Sequence, residues 1–263
     1  MDLVQSIILG LIQGTTEWLP ISSTGHLRIA EYFFVLTVPL LFDVMLHVGT
    51  LLVTIIFFRK AIKKVLLALW HRDFKSQDGK LIVPIILGSI PTALLGALAG
   101  NQLDTYFNTI PLLAAGLIAN GIVLLVSKFS TQQKDSISVL TALLIGLMQG
   151  LSIIPAVSRS GLTIAVMLLL GIRRDLAFKF SFLLSIPAVI GALGVTLYDE
   201  RNALSLAGIG TIEIVAALAI TVAISFLALK ILQKSLTANK FYLFSIYCFI
   251  IGAVLLALSY LGF

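Results

Sequence analysis

The chain has 263 residues, of which 59% are hydrophobic and 11% charged, and its formal net charge is +6. A soluble domain carries about 25% charged residues, so a mean hydropathy of +1.09 excludes a soluble enzyme and places the chain in a bilayer. The single cysteine, Cys248, excludes an intramolecular disulfide and reads as packing in the core or against lipid.

In chain order, Met1-Asp2 lacks a basic region before the apolar residues, so no cleavable signal is expected. Residues 3–18 form a short apolar stretch ending at Pro20, and a second short stretch covers 26–38. A helix of about 12 residues is about 18 Å long, enough to reach the middle of ~30 Å of hydrocarbon but not to cross it. The pair predicts a re-entrant helical hairpin, with a kinked spanning helix as the alternative. Residues 42–58 predict the first full span. Residues 59–80 hold Arg59, Lys60, Lys63, Lys64, Arg72, Lys75 and Lys80 and read as a basic loop touching anionic lipid. His71 has no assigned role there. Spans at 81–99 and 110–127 lead to Lys128 and Lys134. Residues 139–154 and 160–172 then repeat the pair of short stretches around Pro155. After Arg173, Arg174 and Lys179 come spans at 176–198, 208–231 and 241–261, with Lys230, Lys234 and Lys240 at the junction of the last two.

The remaining loops hold only Arg28 and Arg201. If both hairpins return to the side they entered from, all four basic segments fall on one side, which the positive-inside rule makes cytoplasmic, and both termini lie outside. Three full spans separate the hairpins, so the second is inverted relative to the first. The expected fold is therefore an all-α polytopic membrane protein with six spanning helices and two re-entrant hairpins. It forms one membrane domain, 1–263, with repeat one at about 1–130 and repeat two at about 137–263.

Two polar motifs mark the repeats: LGLIQGTTEWLPISSTGH, Leu9 to His26, and IGLMQGLSIIPAVSRSG, Ile145 to Gly161. At an offset of 136 positions Gly10 falls on Gly146, Gln13 on Gln149, Gly14 on Gly150, Ser22 on Ser158 and Gly25 on Gly161. The copies differ in charge. The first carries Glu17, Ser23 and His26, and the second carries Arg159.

An intramembrane carboxylate is costly and needs a cavity or a partner, so Glu17 reads as a metal ligand, a general acid or base, or half of an ion pair. Ser22, Ser23, Thr24 and Gly25 open a helix whose N–H groups suit phosphate oxygens, although the same residues are ordinary helix caps. His26 lies three residues after Ser23, so a helix starting at Ser23 would put a hydroxyl and an imidazole on one face, the minimal activated nucleophile. Arg159, between Ser158 and Ser160, offers a permanent charge and a planar fork for phosphate, or a fixed salt bridge to Glu17. Gly161 follows in the same turn. Gln13 and Gln149 read as hairpin-stabilising amides, with Gln13 close enough to touch the site. Asp43 and His47 could hold a metal or make an interfacial hydrogen bond.

At these residues the chain resembles the undecaprenyl-pyrophosphate phosphatase family, the bacitracin-resistance membrane phosphatases. QGTTEWLPISSTGH and PAVSRSG are similar to its two signature motifs, and the order of apolar segments is similar over essentially the whole chain. Some members have Glu where this chain has Gln13, and many have Gly where Ala156 stands, a change expected only to stiffen the turn. The resemblance implies hydrolysis of a polyprenyl pyrophosphate to the monophosphate in a prokaryotic plasma membrane, with a divalent cation, Mg2+ or Ca2+. It implies Ser23 as nucleophile, with His26 as its base, the proton donor or itself the phosphorylated residue. Glu17 would hold the metal or orient His26, and Arg159 would clamp the phosphates with Ser158 and Ser160. Membrane lipids are the expected partners, nucleic acid is not, and a homodimer is compatible with the sequence. The competing class is a secondary transporter or flippase for an anionic or lipid-linked substrate, because inverted repeats with broken helices are common in transporters.

Overall fold

The computed structural model describes residues 1–36, 38, 40–99, 109–131, 133–199 and 209–261; Arg201 lies outside the described residues. Eleven α-helices and no strands occur among them. In order they are α1 (Leu3–Thr16), α2 (Ser23–Phe34), α3 (Leu40–Phe57), α4 (Arg59–Trp70), α5 (Ile82–Ala99), α6 (Ile110–Val126), α7 (Val139–Leu151), α8 (Arg159–Leu169), α9 (Arg174–Asp199), α10 (Thr211–Thr237) and α11 (Phe244–Tyr260). The chain is an all-α, multi-pass membrane protein. Five helical segments are long and apolar enough to cross a bilayer alone, namely Gly79–Leu98, Ile110–Phe129, Arg174–Tyr198, Thr211–Thr237 and Phe241–Tyr260. The sixth expected span is α3, which runs into α4 with a bend of 73°.

That bend corrects one expectation. The basic run at 59–80 is not a loop throughout, because its first twelve residues form α4. Ile62 and Val65 pack against the core while Leu66, Leu69 and Trp70 stay exposed beside Lys60, Lys63 and Lys64. This is the pattern of a helix lying along an interface.

The short helices are cut where the sequence breaks. Asp2 caps α1 in a capping box with Gln5. Ser22 and Ser158 occupy equivalent cap positions at α2 and α8, accepting hydrogen bonds from Gly25 N (3.3 Å) and Gly161 N (3.1 Å). Ser22 and Ala156 adopt positive φ, 72° and 66°. Ala156 is thus more than a stiffener: it holds a left-handed turn that glycine enters without a Cβ clash.

Two buried crossings are built alike. A Cβ on Gly10 would meet the Ala217 carbonyl oxygen at 2.6 Å, and one on Gly146 would meet the Gly88 carbonyl oxygen at 1.9 Å. Beside them Thr221 Oγ1 donates to Gly10 O at 3.2 Å, and Thr92 Oγ1 donates to Gly146 O at 2.8 Å. So α1 lies against α10 and α7 against α5, at backbone-contact distance. Glycine allows that approach where lipid gives apolar side chains no reason to associate.

The four basic segments meet at one end of the molecule. Lys179 pairs with Asp78, Arg173 N donates to Lys134 O, Arg174 bonds Asn239 and Lys128 lies over the Tyr242 ring.

Candidate active site

Both motif turns reach the interior and touch. A Cβ on Gly25 would meet Ala156 Cα at 3.0 Å, and one on Gly161 would meet Pro20 Cβ at 3.1 Å. Asn120 of α6 ties them together. Its Nδ2 donates to Pro20 O at 2.8 Å, and its Oδ1 accepts from Ser158 N at 3.3 Å. Ser160 Oγ donates to Trp18 O at 3.2 Å, a third tie between the copies.

At this meeting point the charged residues assemble. Arg159 Nη2 donates to Glu17 Oε1 at 2.8 Å, while Ser23 Oγ donates to Glu17 Oε2 at 2.7 Å. Gln13 Nε2 also approaches Oε2, at 3.4 Å. Only 15% of the Arg159 side chain and 11% of the Glu17 side chain are exposed. In such a buried pair each charge offsets part of the other's desolvation penalty. Arg159 stacks 6.0 Å from the Phe182 ring centroid, and Phe182 packs on Trp18 and Phe58. Arg159 Nη1 is buried with no hydrogen-bond partner among the described residues. A guanidinium with an unsatisfied, water-excluded N–H is a ready donor for an anionic oxygen.

His26 departs from the expected arrangement. Its ring nitrogens are taken by Ser22 O (Nδ1, 2.7 Å) and the Tyr247 hydroxyl (Nε2, 2.8 Å), while Ser23 turns its hydroxyl to Glu17. Helical spacing does give the two residues a common face, but Ser23 is the first residue of α2, and its Oγ reaches back across the turn to Glu17, the C-cap of α1. Glu17 therefore orients Ser23 rather than His26. Ser22 and Ser158 are engaged as caps, Thr24 Oγ1 lies 3.3 Å from Ser22 Oγ, and Ser160 Oγ lies 3.3 Å from Ser158 Oγ. Gly25 and Gly161 supply the cap N–H groups and the close approach of the turns. Gln149 is apart from the site, bonded to Thr92 and to Leu184 O.

His47 Nδ1 bonds Asp43 O at 2.9 Å, within its own helix. Among the described residues no group of three or more His, Cys, Asp or Glu could enclose a metal. A hard cation such as Mg2+ needs less, since it retains waters and takes one or two carboxylates together with substrate phosphates. Glu17 fits that limited role. Cys248 is fully buried beside Asn120, so it packs in the core and does not face lipid. A separate cavity of about 520 Å³, lined by Lys80, Arg173 and Lys179, shares no residue with this site.

Sequence reasoning overlooked Asn120 and Tyr247. Asn120 carries a signal, a lone amide in an otherwise apolar span. Tyr247 carries none, since tyrosine is ordinary in a membrane helix.

Comparison with known proteins places this geometry in a family. Residues 6–254 match the family described as bacitracin resistance protein BacA. The chain belongs to that family. A relative from Desulfosudis oleivorans named undecaprenyl-diphosphatase is 39% identical, over 97% of this chain and 98% of the relative. Relatives of the same name from Carboxydothermus hydrogenoformans (37% identical, 100% of this chain and 99% of the relative) and Desulforapulum autotrophicum (36%, 97% of each) align equally fully. The BacA match spans both motif turns, so the crossing described above belongs to the shared region.

Proposed function

We propose that this BacA-family chain is a membrane phosphatase that hydrolyses undecaprenyl pyrophosphate to the monophosphate and inorganic phosphate, returning the lipid carrier to cell-envelope glycan synthesis. The observation that carries the reading is the Arg159–Glu17–Ser23 chain of contacts with one guanidinium nitrogen to spare. It joins an anion clamp, a carboxylate and a hydroxyl in one buried cluster, and the relatives' shared name supplies the substrate.

The diphosphate enters against Arg159, whose Nη1 takes a phosphate oxygen and whose fork turns partly from Glu17. Relieved of its counter-ion, Glu17 becomes a better proton acceptor. Ser23 Oγ attacks the terminal phosphorus and its proton passes to Glu17 Oε2. The anhydride P–O bond breaks, and His26 receives the leaving prenyl phosphate with a proton. Water attacks the phosphoserine phosphorus and gives a proton to His26, and Glu17 returns its proton to Ser23 Oγ as that P–O bond breaks. Arg159 offsets the charge that develops on the transferred phosphoryl group. A divalent cation, when bound, adds charge neutralisation at the phosphates, with Glu17 and the substrate oxygens as its holders.

Topology completes the reading. The motif hairpins are re-entrant, the halves are inverted repeats, and the cleft opens outward from the plasma membrane. Support comes from the matched crossings at Gly10 and Gly146 and from the basic segments gathered at one end. The prenyl chain then stays in lipid while the headgroup enters the polar cluster.

Phosphate release from polyprenyl pyrophosphate by detergent-purified protein tests this, because it needs no gradient. Wild-type protein should release phosphate, and Ser23→Ala should lose orders of magnitude while remaining folded. A folded wild type that binds the lipid without releasing phosphate would leave the transporter reading in its place.

A further inference from the structure

The His26 ring is held at both nitrogens, and the identity of the two partners fixes where its proton lies. Ser22 O, 2.7 Å from Nδ1, is a carbonyl and only accepts, so Nδ1 carries the hydrogen. In the neutral ring Nε2 is then bare, and the Tyr247 hydroxyl at 2.8 Å donates to it. Tyr247 comes from α11, 221 residues away, and its ring lies nearly parallel to the imidazole at 5.6 Å between centroids. Ile29, one turn beyond His26, and Ile251 and Leu255 of α11 belong to one apolar cluster with Leu117 of α6 and Ala156.

We propose that Tyr247 is a positioning residue for His26, presenting Nε2 as the nitrogen that exchanges a proton with the substrate. This rests on the phosphatase reading above. A hydroxyl suits the task because it donates to a bare nitrogen and accepts from a protonated one. The exchange starts from the protonated ring: its Nε2–H turns from the phenol oxygen to the prenyl phosphate oxygen, the bared Nε2 then accepts from the phenol as in the resting site, and a proton of the water that cleaves the phosphoserine restores the imidazolium. A carboxylate there would trap the protonated form, and a methyl group would leave the ring free to turn. The leaving oxygen enters beside the phenol, at the α2–α11 edge where Tyr247 is 39% exposed.

Tyr247→Phe removes the hydroxyl and keeps the ring. The expected result is a fall in kcat of about three- to tenfold, the range for one neutral hydrogen bond, with KM and the melting temperature little changed. In protein labelled with 15N-histidine there are three histidines to resolve, and His26→Gln identifies the signal of interest. Tyr247→Phe should move the Nε2 resonance of His26 and leave Nδ1 in place. In a His26→Gln background, Tyr247→Phe should have no further effect on residual turnover, whereas a merely structural tyrosine would impair both backgrounds alike. An active wild type with unchanged Tyr247→Phe kinetics, or an unmoved Nε2 signal, overturns the assignment and leaves the phosphatase reading standing. A wild type that releases no phosphate overturns that reading and this role together.

Discussion

The buried Glu17–Arg159 pair makes a quantitative prediction about stability, separate from catalysis. Glu17→Gln leaves a guanidinium in a site where its Nη1 already lacks a partner, and Arg159→Met leaves a carboxylate with only Ser23 and Gln13 as donors. Breaking one side of a buried pair costs about 3–5 kcal/mol. Losing the contact with Phe182 at 6.0 Å adds about 0.5–1 kcal/mol for Arg159→Met. At about 2–4 °C per kcal/mol for a chain of this size, Glu17→Gln should melt about 6–20 °C and Arg159→Met about 7–24 °C below wild type. The double variant Glu17→Gln with Arg159→Met removes both charges, keeps an acceptor for Ser23 and fills the site with a flexible thioether. It should return to within about 2 kcal/mol of wild type. Cys248 supplies the assay, since it is the only thiol and is fully buried. A thiol-reactive dye therefore reports unfolding directly during a thermal ramp in detergent. If the single losses simply add in the double variant, the pair is not coupled and the account of the site's electrostatics is wrong.

Four further outcomes follow from the same contacts. Arg159→Lys keeps a charge but loses the planar fork, so turnover should stay badly impaired; wild-type kcat/KM would reduce the arginine to a point charge. Gly146→Ala should be far more destabilising than Gly194→Ala, because its Cβ meets the Gly88 carbonyl at 1.9 Å while no atom of the described residues lies within 4 Å at Gly194; equal melting temperatures would contradict the tight crossing. Ala156→Gly should change stability by less than about 1 kcal/mol, as relief of the positive φ offsets the lost methyl, whereas Ala156→Val should unfold the turn, and dye-monitored melting compares the two. In a Cys248→Ala background, an impermeant thiol reagent outside intact cells should label Val35→Cys but not Ser76→Cys, and the reverse pattern would invert the topology.

What the sequence disclosed was whatever breaks a pattern. Polar and glycine-rich interruptions inside apolar runs, repeated at one offset, located both turns, and the charge difference between the copies singled out Glu17 and Arg159. The basic run misled, because charge was read as loop although Ile62, Val65 and Leu69 already carry helical spacing. The Ser23–His26 pairing failed for another reason. Periodicity fixes which face a residue shares, but the first residue of a helix also looks back toward the preceding turn, and Glu17 was the stronger acceptor there. Asn120 stands out as a lone amide, but its partner Ser158 lies 38 positions away, and Tyr247 is beyond reach because it acts through His26, 221 positions away.

The packing of α1 against α10 also sets an order of events during synthesis. The first motif leaves the ribosome early, yet the helix that receives Gly10 and Gly14 begins at Thr211. At 5–20 residues per second the wait is roughly 10–40 s. For most of that interval a hairpin bearing Glu17 has neither its helix partner nor Arg159 beside it. The second motif waits for nothing, because α5 precedes α7 in the chain. The older half of the molecule is thus the last to be completed, and a chain truncated before α8 would expose its unpaired carboxylate to membrane quality control.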